Sequence, residues 1–151
     1  MIEIRRAEDA DATAVAEVYL ASFKHALPAV KHGHPDHEIY GYIAQVIGRG
    51  GECWVAVDGE AVVAIMFLKA GWVDQLYVAP DRLGEGIGRS LLDLAKERST
   101  TDIQLWTFQV NDRARRFYER NGFEAVEMTD GAGNEEHEPD VRYLWRRAPT
   151  D

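Results

Sequence analysis

The segment Leu83 to Ser90, LGEGIGRS, sets glycine at three alternate positions, Gly84, Gly86 and Gly88, just before an amphipathic run. The chemistry open to such a segment is phosphate binding. Small residues let an anion come close to the backbone. Unpaired N–H groups at a helix start point outward, with the positive end of the helix dipole behind them. Arg82 and Arg89 flank the loop and are placed to add charge from the side. A tight strand-to-helix turn that binds nothing has the same composition, so the glycines alone leave both readings open.

Two well-defined phosphate motifs are excluded by residue identity. A dinucleotide fingerprint needs G-x-G-x-x-G after a strand and an acid about 20 residues on. Counted from Gly84 the third glycine falls at Arg89, counted from Gly86 it falls at Leu91, and no acid lies around Gln104 to Trp106. A nucleotide-hydrolysing P-loop needs lysine after its last glycine, and Arg89 stands there.

The elements that must position this loop are legible from periodicity. Ile2 to Arg6 alternates and suits a first strand. Glu8, Asp9 and Asp11 precede a helix in which Val15, Val18, Tyr19, Ser22 and Phe23 share helical spacing. A second helix covers roughly Asp36 to Ile47 and stops before Gly48. Cys53 to Val57 and Ala61 to Leu68 flank Asp58-Gly59-Glu60, a hairpin signal. A strand from about Trp72 to Val78 leads into the glycine loop and a helix carrying Ile87, Leu91, Leu94 and Ala95 on one side. Ile103 to Phe108 is the next strand, and Asn111 caps a helix that ends at Asn121-Gly122. Strands at Phe123 to Met128 and Val141 to Trp145 close the chain around an acidic loop, Asp130 to Asp140.

At 151 residues the chain has the length of one domain, able to bury about 70% of its unfolded surface. Neither a membrane-length apolar run nor a signal segment is evident, so a cytoplasmic location is expected. The single cysteine, Cys53, excludes an internal disulfide and a multi-cysteine zinc site. A formal charge of −9 argues against non-specific binding to nucleic acid or an anionic membrane and mildly favours cationic partners.

The flanks of the loop carry a family resemblance. LYVAPDRLGEGIGRSLL resembles the acetyl-coenzyme A binding segment of the GNAT superfamily of N-acetyltransferases. There a strand ending in apolar-x-Val-x-Pro precedes a loop of the form [Gln/Arg]-x-x-Gly-x-[Gly/Ala]. Gly86 and Gly88 fill the small positions, while Leu83 departs from the first and its arginine is displaced to Arg82. Downstream, NDRARRFYERNGF resembles the family's Asn-x-x-Ala-x-x-Phe-Tyr-x-x-x-Gly-Phe helix, matched at Asn111, Ala114, Phe117, Tyr118, Gly122 and Phe123. The resemblance covers nearly the whole chain and is strongest from Leu76 to Phe123.

The resemblance implies a single α+β domain over residues 1–151, with a mixed, largely antiparallel twisted sheet of about six to seven strands and about four helices. It implies transfer of an acetyl group from acetyl-coenzyme A to a primary amine, by direct attack while both are bound. Two strands ending near Val78 and Phe108 would splay, and pantetheine would lie along Leu76, Tyr77 and Val78. Pyrophosphate would rest on Leu83, Gly84, Glu85, Gly86, Gly88 and Arg89, with Asn111 holding the pantetheine or phosphate end while capping its helix. Tyr118 would donate to the departing thiolate, and Asp74 would take the amine proton, with Glu52 and His25 as rivals. No metal is implied. His32-Gly-His34-Pro-Asp-His37 lacks the ligand pattern of a closed zinc site and is assigned to the acceptor pocket. The acidic loop either faces a cationic acceptor or is a solvated connection, and Arg113, Arg115, Arg116 and Arg120 form the wet face of their helix. A homodimer is compatible with the resemblance. The alternative is a non-catalytic acyl-coenzyme A binding or sensor protein on the same fold.

Overall fold

A computed structural model describes residues 1–148. The expectation that one domain runs to residue 151 lies, for 149–151, outside the described residues. In chain order the elements are β1 (Ile2–Arg6), α1 (Ala12–Ala26), α2 (Asp36–Gly48), β2 (Glu52–Asp58), β3 (Ala61–Lys69) and β4 (Trp72–Val78). Then follow α3 (Ile87–Arg98), β5 (Ile103–Phe108), α4 (Asp112–Arg120), β6 (Glu124–Met128) and β7 (Asp140–Trp145). Two short 3₁₀ turns precede α1 and α3. The strands form one seven-stranded sheet in the order β1-β2-β3-β4-β5-β7-β6. Every neighbouring pair is antiparallel except β4 and β5. The α+β architecture read from the sequence is the one observed.

Strand parity sorts the core into two layers. Val55 and Val57 of β2 and Ile65 and Phe67 of β3 pack under α1 and α2 with Val15, Tyr19, Ile39 and Ile43. Their sequence neighbours Ala56, Ala64 and Met66 face the other way, into a cluster with Leu91 and Leu92 of α3 and with Leu105, Val141 and Tyr143. A bulge alters this parity in β4. Phe67 pairs with Gln75 but Leu68 pairs with Val73, so Asp74 is the extra, unpaired residue. Val73 and Leu76, three apart, therefore share the α3 face, whereas an unbroken strand would set them on opposite faces.

Two polar contacts fix the helices that border the site. Arg5 grips both oxygens of Asp11 at 2.8 and 3.0 Å, tying β1 to the start of α1, and the same carboxylate accepts the Glu8 N–H at 2.7 Å. The buried Tyr143 on β7 donates to Glu119 at 2.6 Å and accepts from Arg115 Nε at 3.1 Å, which pins α4 to the sheet. Arg115 thus leaves the wet face expected of it, while Arg113, Arg116 and Arg120 remain exposed.

Leu91 is fully buried at the centre of the α3 layer. Leu91→Ala is expected to cost about 2–5 kcal/mol, read as a lowered urea midpoint at unchanged slope.

Candidate active site

β4 and β5 form one bridge, Trp72 to Gln104, supported by the Gln104 N–H to Gly71 carbonyl bond at 2.9 Å, and then part. The bulge at Asp74 bends β4 just beyond that bridge. A cleft of about 1460 Å³ fills the gap and passes between the two helical layers. Its lining joins the end of α1, the second half of β4, the glycine loop, the end of β5, α4 and the β6–β7 loop.

Beyond the bulge, one edge of β4 has no strand beside it. Ala79 donates to Val63 on β3 at 2.8 Å, so by alternation Tyr77 also turns its backbone to β3, while Leu76 and Val78 turn theirs toward the cleft. Ser22 of α1, buried, donates through Oγ to the Val78 carbonyl at 2.9 Å. The Leu76 N–H and carbonyl and the Val78 N–H are left facing the gap.

The glycines of the loop serve two different needs. Gly84 and Gly86 adopt φ of +84° and +83°, and a Cβ on either would meet nothing within 4 Å. Backbone handedness, not space, requires them. Gly88 has an ordinary φ, but its Cβ would lie 3.3 Å from Phe117 Cζ and 3.5 Å from Val78 Cγ2, so it lets α3 pack against α4 and β4. Helical bonding starts with Ser90 N–H to the Gly86 carbonyl at 3.1 Å, which leaves the Ile87, Gly88 and Arg89 amides open at the mouth of the cleft. Arg82 is engaged by Asp58 and Glu85, each at 3.0 Å, whereas Arg89 is 73% exposed and lies 4.0 Å from Asp93. Asn111 caps α4 by accepting the Ala114 N–H at 3.2 Å and also lines the cleft.

Tyr118 is 8% exposed and lines the cleft. Its hydroxyl has no hydrogen-bond partner among the described residues, and no fully buried side-chain oxygen there lacks one, so this hydroxyl opens to the cleft. Burial holds its phenol well above the ordinary range. Phe117 is partly buried and packs edge-on against Tyr118 at 5.2 Å between centroids. Tyr77 approaches from the α1 side, and burial, then the neighbouring Tyr19, Tyr118 and Glu136, hold its phenol well above the usual value.

Tyr19 stands edge-on to Tyr77 at 5.1 Å. His32 Nδ1 accepts the His34 N–H at 3.1 Å, so a neutral ring carries its proton on Nε2 and donates it to Tyr19 Oη at 2.8 Å. The hydrogen of Tyr19 is thereby left for another acceptor. Tyr19, Ser22 and Glu136, all lining this end, were not singled out as site residues from the sequence. Their signals are a tyrosine and a serine on the buried stripe of α1 and one acid among many in a loop, which identify nothing on their own.

Asp74 lies in the cleft wall at the bulge. Loss of hydration raises its carboxyl pKa, with Lys69 opposing. Of its rivals, Glu52 is held by Trp54 at 2.9 Å and Arg98 at 2.6 Å and lies outside the cleft lining, while His25 lines it from the last turn of α1.

The histidine segment and the acidic loop meet. His34 contacts Glu38 at 2.8 Å through Nδ1 and Glu135 at 2.6 Å through Nε2, and a Cβ on Gly33 would lie 2.9 Å from that of Glu135. A ring donating from both nitrogens is the imidazolium. The Glu38 and then the Glu135 hydrogen bonds raise its pKa.

Residues 49–125 match the acetyltransferase (GNAT) domain family. The chain is 30% identical over 156 residues to an uncharacterized N-acetyltransferase of Archaeoglobus fulgidus, across 89% of this chain and 100% of that one. It therefore belongs to the GNAT family of acetyltransferases. The fold is similar to that of apo YjaB from Escherichia coli, with TM-score 0.80 and 21% identity over 98% of this chain and 99% of that one. It is also similar to the PaiA N-acetyltransferase from Thermoplasma acidophilum in complex with coenzyme A, with TM-score 0.72 and 20% identity over 97% and 99%.

Because the folded pKa of His34 lies above its unfolded value, its contribution is complete below about pH 6.5 and is lost as pH rises through the folded pKa. His34→Ala is expected to lower the melting temperature at pH 5.5, with the difference from wild type shrinking steadily toward pH 9.

Proposed function

We propose that this cleft binds acetyl-coenzyme A and transfers its acetyl group to a primary amine within one catalytic domain spanning 1–151. One observation carries the reading: a buried, unpartnered phenol opens on a gap in the sheet whose far end is a helix start with free amides. The Leu76 and Val78 backbone suits the amides of the pantetheine arm, in the manner of an added strand. The Ile87, Gly88 and Arg89 amides and the Leu83–Gly86 turn suit the pyrophosphate. Arg89 is the arginine free to assist, because Arg82 is neutralised by two carboxylates. Asn111 serves at the junction while keeping its cap.

Two proton problems assign the remaining roles. An alkylammonium near pKa 10.4 is neutral in about one molecule in 2,500 at pH 7, a cost of about 4.6 kcal/mol. Asp74, exposed on β4 but partly dehydrated so that its pKa is raised above the ordinary carboxylate value, receives that proton. The amine nitrogen then attacks the thioester carbonyl, the C–S bond breaks with its electron pair on sulfur, and the second proton that the nitrogen sheds on becoming an amide goes to that thiolate, giving the free thiol. A phenol near 10 is already a weak acid toward a thiolate near 8.5, uphill by about 2 kcal/mol, and burial makes Tyr118 weaker still. Tyr118 therefore acts as a hydrogen-bond donor to the departing sulfur and keeps its proton.

Tyr118→Phe is expected to reduce thiol release about 10- to 100-fold, the worth of one hydrogen bond to a charged group, with coenzyme affinity unchanged. Equal turnover would remove the role. Gly86→Asp is expected to abolish the rise in melting temperature caused by saturating acetyl-coenzyme A, by adding strain and like charge. Coenzyme binding by wild type without turnover on any amine would favour the non-catalytic alternative.

A further inference from the structure

Charge is segregated along the cleft. At the glycine-loop and α4 end the lining carries Arg82, Arg89, Arg113 and Arg120, against Asp112. Past Tyr118, at the α1 end, the acids are Asp74, Glu136 and Asp140, and the one group able to become cationic is His25. Asp140 is spoken for, since it accepts from Thr129 and from Asn134 Nδ2. Asp74 and Glu136 have neither an ion-pair nor a hydrogen-bond partner among the described residues.

These two carboxylates reach the cleft from different directions, one at the β4 bulge and one from the β6–β7 loop. The loop that carries Glu136 is braced. Asn134 exchanges hydrogen bonds with the backbone of Glu138 at 2.8 and 3.2 Å, and the neighbouring Glu135 is clasped by His34. Glu136 is half-buried, close enough to Tyr19 and Tyr77 to oppose ionisation of both phenols. Those two phenols stand edge-on at 5.1 Å, and the same cleft is lined by Phe23, edge-on to Phe108 at 6.4 Å. An unpaired carboxylate beside aromatic faces is a binding environment for an alkylammonium. The cleft that these carboxylates line also receives the hydroxyl of Tyr118, a residue nine-tenths buried whose hydroxyl has no partner among the described residues, which marks the cleft as shaped for a ligand and not as a solvated acidic patch.

Resting on the reading of the cleft as an acetyl-transfer site, we propose that the acceptor is a compact aliphatic amine bearing a second positive charge. Asp74 serves the reacting nitrogen, and Glu136 holds the second ammonium. A single charge would need one carboxylate. The second, fixed in a braced loop and without a partner among the described residues, is matched by a diamine and left unmatched by a monoamine. Zwitterionic acceptors bring a carboxylate against Glu136 and are disfavoured.

The test compares 1,4-diaminobutane with n-butylamine at saturating acetyl-coenzyme A, reading free thiol release by the full chain. The diamine is expected to show kcat/KM at least tenfold above butylamine. In Glu136→Gln that ratio is expected to fall at least tenfold, mainly through KM for the diamine. Glu138→Gln, in the same loop but outside the cleft lining, is expected to keep the ratio. Equal use of the two amines by wild type, an unchanged ratio in Glu136→Gln, or faster turnover of a peptidyl lysine flanked by neutral residues would each overturn this inference. Those outcomes leave acetyl transfer standing. Absence of any acetyl-coenzyme A effect on melting temperature would instead overturn the transfer reading, and this inference with it.

Discussion

Past the Trp72–Gln104 bridge, β4 and β5 forgo backbone hydrogen bonds that a continuous sheet would make. A desolvated, unpaired peptide group costs about 1–3 kcal/mol, so such a gap persists only where water or a ligand can reach the exposed groups. The bulge at Asp74 bends one strand, Ser22 takes up the Val78 carbonyl, and the remaining edge is open to the cleft. The Arg5–Asp11 pair and the Tyr143 contacts to α4 then set the helices that form the cleft walls. The opening is thus a property of the sheet, held by contacts well away from it.

That constraint also supports the proposed role of Tyr118 as a donor and not an acid. The position that brings its hydroxyl into the gap surrounds the ring with Phe117, Phe123 and Tyr143. Burial on three sides raises the phenol pKa, so the proton is available for hydrogen bonding and costly to surrender. The geometry proposed to provide the contact disfavours full proton transfer. The same logic runs in the helpful direction at Asp74, the proposed base, where partial dehydration makes the carboxylate a stronger base.

Much of this was legible in the sequence because it is local. Strand alternation, the Asp58-Gly59-Glu60 turn and the Asn111 cap each lie within a few residues, and each recurs in the structure within a residue or two of its expected bounds. The motifs at Leu83–Ser90 and Asn111–Phe123 are local too, so the elements that carry the proposed coenzyme residues were found. What escaped depends on long-range pairing. The bulge at Asp74 arises from register with β3, which no window on β4 reveals. Arg82 reads as a phosphate partner until Asp58, 24 positions earlier, is brought against it. Arg115 reads as solvated until Tyr143 arrives from β7. The roles of Gly84 and Gly86 also shift, from granting close approach to supplying left-handed backbone.

The proposed acceptor end is non-local in every part. Tyr19, Asp74 and Glu136 come from a helix, a strand and a loop, and no two are close in sequence. Such a surface can change one residue at a time without disturbing the coenzyme end, which is built from backbone and glycine. The net charge of −9 is equally silent on where charge acts. In the proposed reading, arginines gather where phosphates would lie, and two carboxylates without a partner among the described residues stand where an ammonium would arrive. A cleft polarised in this way orients a carrier with an anionic head against a cationic acceptor before either makes a specific contact. Under the proposed function, attraction at the two ends would draw both substrates toward the uncharged stretch between them, where Tyr118 lies.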